Sequence, residues 1–240
     1  MTRTLTLLAA ALGFSLTAQA HFVWLEQPAG SATAVLRFGE FAHNLREASP
    51  GLLDRFGKPS ATHLSAQGEK AVDASKTAGG FALPFGAGQG EAIVAEDASF
   101  PLRRAKQGDQ EVTSWFRPAA RLITGFAAQP PKLALDLVPT GKAGEFKLYF
   151  KGQPLPKTKV EWLTQSGWAL TGYTDEHGGV AFDMPWQGQY VAEVRHTDPT
   201  PGTRGSEKYD SVSYVTSLTF VQPSGLAPLP AAPLRTPSAK

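Results

Sequence analysis

The chain has 240 residues, 23 Lys and Arg against 21 Asp and Glu, and a formal net charge of +2 at pH 7. Near-neutral charge gives no electrostatic case for nucleic acid or an anionic membrane, so we expect no nucleic-acid partner. The chain has no cysteine and only two methionines, which excludes thiolate chemistry, iron–sulfur clusters and thioether-rich copper sites.

Residues 1–20 have the three parts of a secretory signal peptide. MTRT is a basic start, LTLLAAALGFSLTA is an apolar run too short to span a membrane, and AQA is a small-residue cleavage site ending at Ala20. The alternative is a buried N-terminal helix. We expect a periplasmic or secreted protein that begins at His21 and does not span the membrane after cleavage.

Residues 21–131 have scattered strand signals and are predicted to form an N-terminal β-rich domain. HFVWLE alternates, and TAVLRFG and EAIVAED are further short strands. EFAHNLREASPGLLDRF is more polar and predicts a loop with a helical turn. VTSWFRPAARLITGF has a proline in mid-run, which leaves a helix broken at Pro118 and an edge strand as open alternatives.

The Pro pair of AAQPPK, residues 127–132, marks a domain boundary. Residues 132–222 then contain seven strand-like segments separated by turn residues, which is typical of a small β-sandwich such as the immunoglobulin fold. The Pro- and Ala-rich residues 223–240 are predicted to be disordered. The expected fold class is therefore all-β, with two β-sandwich domains after a cleaved signal peptide.

Several segments together resemble a known family. FKLYFKGQPLPKTKVEWLTQSG and GYTDEHGGVAFDMPWQGQYVAEVRHTD are similar to a prealbumin-like or Cna-B-like sandwich. With AHFVWLEQP, FGEFAHNLREASPGLLDRF and YDSVSYVTSLTF, the chain resembles domain-of-unknown-function family 4198. This resemblance implies an exported protein that handles nickel or cobalt in the periplasm.

His21 is the first candidate metal ligand. After cleavage it offers two nitrogens, the α-amino group and Nδ1, which together can chelate an ion. A second imidazole would complete the copper histidine brace, a nitrogen-rich arrangement that suits Cu(II) or Ni(II). The alternative is that His21 is simply the first residue of the first strand.

The second imidazole must come from one of four histidines. In YVAEVRHTD, strand alternation places His196 on the apolar face, at the rim of a core where a polar group needs a partner. The resemblance also places a histidine there. His196 is therefore the predicted partner, although a core histidine bonded to a carbonyl is as plausible. His177 is predicted to be an exposed turn residue, and His63 has no supporting signal. His43 would cluster with Glu40, Asn44 and Glu47 if its segment forms a helical turn, and the alternative, which we favour, is a solvated polar loop.

Searches for catalytic motifs find no nucleophile elbow, HExxH or phosphate-binding loop, so no enzymatic activity is expected. The predicted function is a periplasmic accessory protein. It would bind a divalent ion, Ni, Co or Cu, through His21 and His196 and support its uptake or transfer to an inner-membrane transporter. The alternatives are a copper histidine-brace redox enzyme and a non-catalytic structural or adhesion module.

Overall fold

The computed structural model describes residues 21–28 and 30–237, so the predicted signal peptide lies outside the described residues. The fold is built almost entirely from strands, which confirms the all-β sandwich class. Two 3₁₀ turns, Phe41–His43 and Leu52–Arg55, interrupt the first half. Its strands are β1 (Phe22–Glu26), β2 (Val35–Glu40), β3 (Leu45–Arg46), β4 (Ser60–Ser65), β5 (Gly68–Asp73), β6 (Ser75–Thr77), β7 (Gly80–Ala82), β8 (Ala92–Glu96), β9 (Arg103–Gln107) and β10 (Gln110–Ile123).

The second half contains all seven predicted strands and three short additional ones. In chain order they are β11 (Leu135–Pro139), β12 (Glu145–Phe150), β13 (Gln153–Pro154), β14 (Lys159–Thr164), β15 (Ala169–Tyr173), β16 (Gly179–Ala181), β17 (Gly188–Asp198), β18 (Gly202–Arg204), β19 (Glu207–Tyr209) and β20 (Ser211–Gln222).

A nine-stranded central sheet draws strands from both halves of the chain. Its order is β15-β14-β17-β20-β10-β8-β4-β5, with β9 paired to β10. The two halves meet where β10 and β20 pair in parallel. The predicted boundary at residue 131 thus separates β10 from β11, while one hydrogen-bonded sheet continues across it. The division into two domains at that residue stays a prediction.

Smaller sheets cover the two faces of the central sheet and give two sandwiches. The N-terminal sheet, β1, β2, β3, β6 and β7, packs Phe22, Val23 and Leu25 in one hydrophobic cluster with Phe116 and Val215 of the central sheet. The C-terminal sheet consists of β11, β12, β13 and β16. Its apolar side chains share a second cluster with the opposite face of β14, β17 and β20. The central sheet is therefore the middle layer of three.

Pro118 lies inside β10, which is neither a broken helix nor an edge strand, because β20 pairs with one side of it and β9 and β8 with the other. The first half of β10 pairs with β9 through Ser114, and its second half pairs with β8 from Ala119 onward. Pro118 lies between these two pairings, where the missing N–H removes no bond to either strand. Its carbonyl accepts a bond from Asp97 N, 3.1 Å away.

A buried ion pair anchors the predicted linker. Arg121 and Asp136 have no solvent-exposed side-chain surface, and two bonds of 2.9 and 2.6 Å join them. The same carboxylate accepts bonds from Lys132 N and Leu133 N. Arg121 also donates to Gln129 Oε1 at 2.7 Å. The linker is therefore fixed to the central sheet.

The C-terminal segment that was predicted to be disordered contacts the body of the fold in the structure. Its backbone forms hydrogen bonds at Leu226, Ala232 and Arg235 with Pro185, Gln165 and Asn44. Within the described part of the chain, no helix is long and apolar enough to cross a membrane.

Candidate metal centre

His21 lies at the start of β1, beside two carboxylates. Its Nε2 is 2.6 Å from Glu47 Oε1, and its Nδ1 is 3.5 Å from Glu40 Oε1. The ring packs against Phe38, with centroids 5.1 Å apart. Pairing of Phe22 with Gly39 brings the end of β2, and hence Glu40, next to His21. The pairing register of β1 and β2 therefore explains the contact between His21 and Glu40.

Residues 40–47, here called the acidic loop, carry the other groups. The loop turns through the 3₁₀ segment Phe41–His43 and returns as β3, which pairs antiparallel with β2. Asn44 adopts the left-handed conformation, with φ of 50°, at the point where the chain reverses. The Phe41 side chain is 1% exposed and packs with Trp24, so it anchors the turn.

Glu40 joins the two imidazoles of this cluster. Its Oε2 is 2.6 Å from Nδ1 of His43, while its Oε1 faces His21. The His43 side chain is 54% exposed, so the cluster opens to solvent on that side. We define the His21 cluster as His21, Glu40, His43 and Glu47.

The bond to Glu47 determines which nitrogen of His21 is free to bind a metal. The Glu47 side chain is 5% exposed, and an ionised carboxylate can only accept hydrogen bonds. In the tautomer that donates to Glu47, Nε2 carries the proton and Nδ1 presents its lone pair. Metal-binding histidines are commonly oriented in this way, with the second ring nitrogen donating to a carboxylate.

Strand β17 brings an acidic residue, Glu193, and a basic residue, Arg195, to the side of the central sheet on which the His21 cluster lies. Burial raises the pKa of Glu193 to about 8, the neighbouring Glu161 and Glu40 raise it too, and Arg195 acts in the opposite direction. The Arg195 guanidinium lies 5.0 Å from the centroid of the Phe22 ring. Burial lowers the pKa of Arg195. The surroundings of the His21 cluster are thus rich in partly buried charge.

His196 lies on the opposite face of the central sheet, which corrects the predicted pairing with His21. The strand alternates as expected: Tyr190, Ala192 and Val194 face the C-terminal sheet, and His196 follows in the same register. The His196 ring packs 4.4 Å from the Phe150 ring, and burial lowers its pKa. Because β1 covers the other face, the fold does not bring His21 and His196 into one site.

The remaining histidines have local partners. His63 Nε2 is 2.8 Å from Glu91 Oε2. His177 is an exposed turn residue, as predicted. In that turn Asp175 Oδ1 accepts hydrogen bonds from the backbone N–H groups of His177 and Gly179. The partners described for these two histidines, Glu91 and Asp175, are not members of the His21 cluster.

Across residues 21–28 and 30–237, no three His, Asp or Glu side chains form a ready-made metal site. In the His21 cluster the acids and imidazoles are bonded to each other, and an ion would replace those bonds. The sequence analysis grouped Glu40, His43 and Glu47 only on condition of a helical turn and did not assign them to the metal site. Sequence reasoning missed Glu193, which reads as a solvent-facing residue of an alternating strand.

No family model matches the chain, and no curated protein matches it. Among solved structures, a two-domain fibronectin type-III segment of chicken tenascin aligns with 80% of this chain and 95% of its own length. The identity is 12% and the TM-score 0.21, too low to carry an argument. The resemblance to family 4198 therefore stays a prediction.

Proposed function

We propose that this chain is an exported, non-enzymatic accessory protein that binds a divalent transition metal at the His21 cluster. The ion, Ni, Co or Cu, would then be passed to a membrane transporter or held for uptake. The export signal in residues 1–20 and the family resemblance support the location and the partner. His21 is kept as a ligand in this proposal, and Glu40 takes the place that the sequence gave to His196.

The observation that carries the proposal is the Glu47–His21 hydrogen bond. It leaves Nδ1 of His21 on the side of Glu40, whose oxygen is 3.5 Å away. Nδ1 and a free α-amino group at residue 21 can close a chelate ring on one ion. Glu40 adds a carboxylate oxygen, and the exposed His43 can add a second imidazole. Imidazole and carboxylate donors both suit divalent transition ions.

Isothermal titration of the mature protein with Ni(II), Co(II) and Cu(II) tests the proposal. We expect at least one ion to bind more tightly than micromolar, and His21→Ala to abolish that binding. Glu40→Gln should weaken it. His196→Ala is the matched control, since the His196 imidazole lies on the other face of the sheet. This variant should bind the metal ions with the same affinity as the unaltered protein.

A second control examines the amino group. A version with several Gly and Ser residues before His21 keeps the imidazole and removes the free amine at that position. Weaker binding by this version supports chelation through the α-amino nitrogen. The proposal fails if the mature protein binds none of the three ions, or if His21→Ala binds them as well as the unaltered protein does.

A further inference from the structure

The segment from residue 224 to 237, here called the C-terminal strap, follows β20 and Pro223. Leu226 N donates to Pro185 O at 2.8 Å, and Gln187 N donates to Leu226 O at 2.8 Å. A β-bridge between Trp186 and Leu226 accompanies these bonds. The first part of the strap is thus paired with the segment before β17.

The second part of the strap reaches the acidic loop. Ala232 N donates to Gln165 O at 2.8 Å, and Arg235 N donates to Asn44 O at 3.1 Å. A parallel bridge joins Leu45 to Arg235. Residues almost two hundred positions apart in sequence therefore meet beside the His21 cluster.

Asn44 is the centre of this contact. Its Nδ2 donates to Ala232 O at 2.6 Å, and its Oδ1 accepts bonds from Arg46 and Gln165, at 2.5 and 3.3 Å. Asn44 is 8% exposed. Arg46 in turn donates to Glu26 Oε1 on β1 at 2.6 Å. The Asn44 side chain thus connects the acidic loop directly to the strap and to the β14–β15 turn, and through Arg46 to β1.

We infer that Asn44 and the C-terminal strap position the acidic loop, so that Glu40, His43 and Glu47 face His21. The inference rests on the proposed function for its metal readout. Asn44 is a positioning residue in this scheme: it follows His43 directly but touches no ion. The φ of 50° explains why the residue is Asn, since Asn tolerates this conformation and also supplies an amide.

Three forms of the mature protein test the inference. The first ends at Pro223 and lacks the strap. The second ends at Thr236, which keeps Ala232 and Arg235, and is the matched control. The third is the full chain with Asn44→Gly, which keeps the left-handed backbone accessible and removes only the amide. This third form also guards against a truncated chain that fails to fold.

Hydrogen exchange at the Glu47 amide and titration with Ni(II), Co(II) and Cu(II) are the readouts. Removing the strap takes two hydrogen bonds from the acidic loop, and removing the amide takes three. We therefore expect exchange at least roughly tenfold faster and a metal affinity lower by a similar factor. The Thr236 form should match the full chain in both. A purely structural role would lower the melting temperature and leave the affinity unchanged.

The two readouts separate the possible failures. Unchanged exchange in both the Pro223 form and Asn44→Gly overturns the positioning role, whatever the metal result. Faster exchange with unchanged affinity overturns it as well, because the loop then binds equally well when loosened. If the full chain binds no metal but exchange accelerates, the proposed function fails, while the mechanical role of Asn44 and the strap stands.

Discussion

The buried carboxyl of Glu193 makes a prediction about folding stability that does not depend on metal. Burial raises its pKa from 4.5 to about 8. Between these two pH values the folded chain retains a proton that the unfolded chain has lost. Stability contributed by this group is therefore complete below pH 4.5 and declines as the pH rises towards 8.

The size of the effect follows from that pKa. One pKa unit corresponds to about 1.36 kcal/mol, so ionising Glu193 lowers the free energy of unfolding by at most ~5 kcal/mol. Glu193→Gln has the same shape and does not ionise. We expect this variant to be more stable than the unaltered protein above pH 8, by an amount that shrinks steadily down to pH 4.5.

Urea unfolding across this pH range, with both proteins in parallel, measures the difference. Titrating groups that do not interact with Glu193 affect the two proteins alike, so subtraction isolates Glu193 together with the charges coupled to it, Glu161, Glu40 and Arg195. Glu111→Gln is the matched control, because its carboxylate is 62% exposed and should give a small, pH-independent difference. Parallel curves for Glu193→Gln and the unaltered protein would refute the reasoning.

Two further changes test the fold around the site. Asp136→Ala leaves the buried Arg121 charge without its partner and should cost about 3–5 kcal/mol of unfolding free energy, measured in urea; a loss under about 1 kcal/mol would contradict a buried ion pair. Gly39→Ala places a Cβ against the Leu45 carbonyl at φ +147° and should lower the free energy of unfolding by about 2 kcal/mol or more. Gly108→Ala is the control: it has open space around it at φ +64° and should lower the free energy of unfolding by about 1 kcal/mol. Equal losses in the two variants would contradict the close approach of β2 and β3.

The strands of the second half were predictable because their signals are local. Alternation and turn residues identify each segment, and the structure contains all seven. The order of strands within a sheet depends on contacts between distant residues. No local pattern in β10 indicates that it pairs in parallel with β20, almost a hundred residues later. The shared central sheet was therefore beyond the reach of sequence patterns.

The same limit explains the outcome for His196. Alternation placed His196 correctly on the face with Tyr190, Ala192 and Val194. The face on which β1 packs is determined by tertiary contacts, which alternation does not show. The first strand covers the other face, where Val191 meets Trp24. The alternation of side chains along a strand shows which residues share a face of that strand, but it does not show which sheet covers each face.

Glu193 shows why a charged face can be buried. Alternation of apolar and charged residues usually indicates a strand with one face in water. In a middle layer both faces are covered, so Glu193 on β17 is 9% exposed beneath the N-terminal sheet. Its raised pKa is the physical consequence of this burial and of the Glu161 and Glu40 carboxylates nearby. A third layer cannot be inferred from the pattern of one strand.

Replacing His196 by Glu40 also changes the expected preference of the proposed site. Two imidazoles and an amine would form a nitrogen-rich set typical of a copper brace, whereas His21 with Glu40 mixes nitrogen and oxygen donors. Intrinsic affinities for such donors still rise from Co(II) through Ni(II) to Cu(II). Tightest binding of Cu(II) in a titration would therefore follow from the ion alone. Selection of nickel or cobalt would have to come from geometry, and here the geometry depends on the acidic loop that Asn44 holds in place.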